Sequence, residues 1–170
     1  VFSRDRDTGL ARLLAVRPVP LLRIYAVRVA GLALLAVGLS ALVMPLFDRV
    51  MLGTWAGPAT LVLIAAQVLV YGALTAFLSV WTRADAWIAL LLGLFSLVWN
   101  ALRAAGLLAT APAAAREFVT LVLPPHGALY ALEGAFAELQ PIPWDAFGYA
   151  AAWAALFLVL AAWSLSGREG

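Results

Sequence analysis

The residues able to carry chemistry in this chain are few. There is one histidine, His126, and there are no cysteines. A thiolate metal site, a cysteine nucleophile and a disulfide are therefore excluded, as is a bis-histidine haem or histidine-rich metal site within one chain. His126 stands in Pro124-Pro125-His126-Gly127, which reads as a turn, so no Ser/His/Asp set can be assembled around it. A glycine-lysine phosphate loop is absent, so the chain does not bind ATP in that way. What remains is a thin set of polar residues inside apolar stretches: Gln67, Ser96, Asn100 and Arg103. Polar groups in spanning helices face a bundle interior or a water-filled path, or they hydrogen-bond between helices. Both roles are open for these four, path-lining and interhelical bonding. Glu117, Glu133 and Glu138 form either an acidic site or the solvated faces of short amphipathic helices.

The elements that must position them are membrane helices. Of 170 residues, 65% are hydrophobic and 12% charged, with a mean hydropathy of +1.00. A soluble domain has roughly 45–50% apolar and about 25% charged residues. All eleven basic residues are arginine. The fold class expected is an all-α integral membrane protein: four transmembrane helices, an N-terminal amphipathic helix and an outer pair of short half-helices.

Gaps between charges mark the spans, each needing about 20 apolar residues. They fall near 21–46, 58–81, 86–108 and 146–166. The first is expected to end at Pro45, Asp48 and Arg49, with Gly31, Ala33, Ala36, Gly38 and Ser40 as small contact surfaces. The gap from Val50 to Thr82 would be a helix of about 50 Å, too long for one crossing, and Gly57-Pro58 breaks it. Arg83-Ala84-Asp85 is a tight turn. Gly148, Ala152 and Ala155 give the last span a small-residue spacing. Between the last two spans, 113–123 and 128–139 read as half-helices of about 17 Å, half a bilayer each. The two form a hairpin near 113–139. Trp55, Trp81, Trp87, Trp144 and Trp163 fall near span ends as an aromatic belt requires, whereas Trp99 and Trp153 lie deeper.

Arginine placement gives the orientation. Arg4, Arg6, Arg12, Arg17, Arg23, Arg28, Arg83 and Arg168 fall on one side; Arg49, Arg103 and Arg116 fall on the other with most of the acids. The positive-inside rule puts both termini in the cytoplasm and the hairpin outside. The chain opens on Val1 with a charged stretch that has no signal-peptide pattern, and residues upstream are expected.

Residues 1–20 read as a cytoplasmic amphipathic segment. Leu10, Leu13 and Leu14 share one helix face, Asp7 or Thr8 can cap it, and Pro18 stops it. Such a segment is either a docking helix for a soluble partner or an interfacial anchor.

Thr8-Gly9-Leu10, then Leu13-Leu14, then Arg17-Pro18-Val19 resembles the cytoplasmic loop that precedes the third span in ABC-type-2 exporter permeases, with the Thr-Gly pair in reverse order. The paired short helices before the last span are similar to that family as well. The resemblance covers nearly the whole chain as the last four of six spans. It implies a permease subunit that pairs with a second permease copy, as homodimer or heterodimer, and binds a separate ATPase subunit carrying ATP and Mg. This chain would be no enzyme and hold no cofactor of its own. Thr8, Gly9, Leu10, Leu13, Leu14, Arg17 and Pro18 would be the coupling element, and Gln67, Ser96, Asn100 and Arg103 candidates for lining the path. The implied location is a bacterial or archaeal plasma membrane, without nucleic-acid partners. The alternative is a small four-span structural or assembly protein whose N-terminal helix anchors it to lipid.

Overall fold

A computed structural model describes residues 21–53, 55, 58–137 and 141–166. The described chain is all-helical. Its six helices are α1 (Leu21–Leu52), α2 (Pro58–Trp81), α3 (Asp85–Ala104), α4 (Ala113–Val122), α5 (His126–Ala137) and α6 (Trp144–Ser166). Among the described residues, α1, α2, α3 and α6 are long and apolar enough to cross a membrane. The protein is a helical membrane protein, with α4 and α5 as two short helices between the third and fourth spans.

Local chemistry sets the ends. Pro45 does not stop α1, which continues to Leu52. A proline inside a helix removes one hydrogen bond to the carbonyl four residues back, and neighbouring turns in an apolar setting carry the helix past it. The stop is Gly53, at φ +71°, whose carbonyl accepts from Arg49 Nη1 at 2.6 Å. Arg49 also lies over the Trp55 ring, 5.7 Å from its centroid. Pro58 opens α2 at the first helical position, where its missing N–H costs nothing. Asp85 sits in the first turn of α3, favourable against the helix dipole, and Thr82 Oγ1 accepts the Ala84 N–H at 3.1 Å. The third span is shorter than its charge pattern suggests because Gly106, at φ +72°, terminates it. There the Leu107 N–H donates to Leu102 O and the Gly106 N–H to Arg103 O, both at 3.1 Å, the paired bonds of a Schellman end.

Helix α2 is the centre. It packs against α1, α3, α5 and α6, most extensively against α6. Ala66, Val70 and Leu74 on α2 meet Ala89 of α3, Leu129 and Leu132 of α5, and Ala150 and Trp153 of α6 in one buried cluster. A second cluster joins Tyr25 of α1 to Val80, Ala161 and Leu165. Small residues let backbones approach where packing, not hydrophobicity, drives association. The packed small residues of α6 are Ala150, Ala154 and Ala161, while Gly148, Ala152 and Ala155 face outward. Along α1, Gly31 and Gly38 are also exposed, and large apolar side chains such as Leu34, Leu42 and Val43 point away from the bundle, as lipid contact requires.

Candidate functional site

The most developed polar arrangement is the seat of the α4–α5 junction against the spans. It follows from two prolines. Pro124 and Pro125 have no N–H, so the carbonyls of Thr120 and Leu121, four residues earlier, lose their helical donors. A bare carbonyl away from water costs several kcal/mol. The Leu121 carbonyl is satisfied from another element: Trp153 Nε1 of α6 donates to it at 3.0 Å. Before the break, the Leu123 N–H donates to Val119 O at 3.0 Å; after it, Pro125 O accepts from Ala128 at 3.0 Å and Leu129 at 3.1 Å, starting α5.

Helix α3 supplies the next contacts. Ser96, fully buried, donates through Oγ to the Pro124 carbonyl at 2.6 Å. Asn100 donates through Nδ2 to Ser96 O at 2.8 Å, and a Cβ at Gly127 would lie 3.4 Å from its Oδ1. The four-residue spacing of Ser96 and Asn100 thus aims both at the junction between α4 and α5. One turn further on, Thr120 Oγ1 accepts from Trp99 Nε1 at 3.1 Å and Arg103 Nη1 at 3.3 Å and donates to Arg116 O at 2.7 Å. Arg103 also meets Glu117 at 3.4 Å, in a pair too exposed to add much stability.

Helix α2 completes the seat. The Tyr71 hydroxyl and His126 Nε2 are hydrogen-bonded at 3.0 Å, with the rings edge to face. Gly93 makes room: a Cβ there would come within 2.9 Å of the Tyr71 hydroxyl. His126 Nδ1 is buried without a partner in hydrogen-bonding geometry.

Burial lowers the His126 pKa below the usual imidazole value, and the backbone at Pro124 offsets part of this. The unfolded chain then takes up the proton first. Stability is full above the ordinary pKa of about 6.5 and falls as pH drops from there toward the lower folded value. In detergent, the apparent melting temperature should fall between about pH 7.5 and about pH 5, and His126→Gln should flatten that dependence. Tyr71 and Tyr130 are the titratable side chains against His126. An equally steep profile for the variant would contradict the assignment.

The four polar span residues do not converge on one open path within a single chain. Ser96 and Asn100 are built into the seat, Arg103 ties α3 to α4, and Gln67 lies on an exposed face of α2. Thr8, Gly9, Leu10, Leu13, Leu14, Arg17 and Pro18 lie outside the described residues. Sequence reasoning read His126 only as part of a turn and assigned neither Tyr71 nor Gly93 to the seat. The available signal was chemical: tandem prolines leave carbonyls that need donors, and a tryptophan far from the interface needs an acceptor for its indole N–H. Among the described residues, no group of three or more His, Cys, Asp and Glu side chains could hold a metal ion. The chain matches no protein-family model, no curated protein and no solved structure.

Proposed function

We propose that this chain is the membrane-spanning permease subunit of an ATP-driven exporter, working with a second permease copy and a separate ATPase by alternating access. The observation that carries this reading is the pair of short helices α4 and α5. Two half-helices stand between the third and fourth spans, fixed to α2, α3 and α6 by hydrogen bonds, at the end of the bundle opposite Arg23, Arg28 and Arg83. A junction tied to three spans moves with them, so a displacement begun at the arginine end reaches the opposite face.

In this reading the arginine end is cytoplasmic in a plasma membrane, and residues 8–18 receive the ATPase through Leu10, Leu13 and Leu14. ATP and Mg are held by that partner. Gln67, exposed at mid-span, is the polar residue best placed to face a path shared with the second copy.

The test is the double substitution Leu13→Asp with Leu14→Asp in the full-length gene product. It places two charges on the docking face and leaves the spans untouched. The variant should insert normally and lose its ATPase on affinity purification. A variant that still co-purifies the ATPase would remove the coupling role. If wild type and variant are equally free of ATPase, the four-span structural or assembly protein becomes the better reading.

A further inference from the structure

A groove runs where α1 rests on α2 and α6. It extends from Leu22 to Ala33 on α1, from Val68 to Val80 on α2 and from Leu158 to Leu165 on α6, with a volume of about 330 Å³. Its walls offer little to a polar ligand: the Ser79 hydroxyl is spent on Ala76 O at 2.9 Å, and Tyr25 is buried at the arginine end. Gly72 lies on the wall, and a Cβ added there would meet nothing within 4 Å. The space beside it is open.

Length decides the occupant. Leu22 to Ala33 rises about 17 Å and Val68 to Val80 about 18 Å at 1.5 Å per residue. The hydrocarbon of one leaflet is about 15 Å, half of a ~30 Å core, whereas a further spanning helix needs the full thickness. The groove therefore fits a lipid chain of one leaflet. Charge marks which end holds the headgroup. Arg23 and Arg28 lie in the first two turns of α1, with the Arg28 guanidinium 5.8 Å from the centroid of the Tyr25 ring. Arg83 follows Val80 by three residues, and Asp85 is the acidic residue at this end among those described. Basic side chains at a membrane surface attract anionic lipid, each by about 1 kcal/mol. Trp81, 59% exposed, sits at the same level.

We propose that this groove binds one anionic phospholipid from the leaflet on the arginine side, with an acyl chain along Gly72 and its phosphate at Arg23 and Arg28. The lipid is a bound component of the protein, independent of whether the chain transports anything.

The experiment is native mass spectrometry of the full chain taken from nanodiscs of equal phosphatidylglycerol and phosphatidylcholine. Wild type should retain one phosphatidylglycerol, with a preference on the order of tenfold over phosphatidylcholine, as one to two favourable charge contacts imply. Arg23→Gln with Arg28→Gln should bring the two lipids to parity. Gly72→Leu should fill the groove and remove the retained lipid with helicity unchanged, and Ala33→Phe serves the same purpose if Gly72→Leu fails to fold. Leu34→Trp, 74% exposed and outside the groove lining, should keep it. No retained lipid on wild type, equal retention of both lipids, or wild-type retention in both folded groove-filling variants would overturn the proposal. So would a dimer, free of lipid, that the groove-filling variants split into monomers.

Discussion

Trp153→Ala should be the most damaging single truncation in the bundle, at about 3–5 kcal/mol. Three losses coincide. The indole is 4% exposed, so its removal leaves a cavity that α2 and α5 cannot readily fill. Its stack on Phe157, with centroids 4.2 Å apart, disappears. The Leu121 carbonyl loses the donor that replaced the missing Pro125 N–H. Trp153→Phe separates these terms in part, because an aromatic ring stays while the pyrrole portion of the indole goes with its N–H; its expected cost is about 1–3 kcal/mol, from the orphaned acceptor and a small void together. Both are measured by unfolding in mixed detergent and SDS, followed by circular dichroism. If Trp153→Phe matches wild type, another donor or water satisfies Leu121.

Ala150→Leu is expected to cost up to about 3 kcal/mol by overpacking, since α2 and α6 meet here without spare room. Ala66, Val70 and Ala150 are all at 0% exposure and Ala154 at 1%. Backbone separation at such a contact is set by the smallest residues, so a larger side chain must push the helices apart or leave its rotamer. Ala152→Leu, two residues away and facing outward, is the control and should change stability by less than about 0.5 kcal/mol. The same unfolding titration reads both, and equal effects at the two positions would mean that this face of α6 does not pack on α2.

Much of the architecture was legible because the membrane imposes a coarse code. Charge gaps located four spans, Gly57-Pro58 split a stretch too long for one crossing, and tandem prolines marked the break between the two short helices. The span ends were less legible. Pro45 reads as a stop, yet α1 runs through it. Gly106 ends α3 by adopting a left-handed conformation that one glycine among thirteen does not announce. Packing faces were the least legible. In so alanine-rich a chain, small residues recur on every face of α6, and which set packs is decided by contact with α2.

The seat of the α4–α5 junction was half visible. Ser96 and Asn100 stood out by spacing, and Trp99 and Trp153 by depth. Their partners did not, because Thr120, Leu121 and Pro124 sit 21 to 32 residues from the groups that bind them, and the Leu121 and Pro124 acceptors are main-chain carbonyls without a sequence signature. Tyr71 and His126, 55 residues apart, are linked only by the fold.

The measurement that bears most directly on the transport account is affinity purification of the full-length gene product from native membranes in mild detergent, with quantitative mass spectrometry of the polypeptides retained. The account predicts a Walker-type ATPase at one copy per permease chain. A well-folded preparation that carries no ATPase would contradict it, and residues 1–20 would then be read as a lipid anchor.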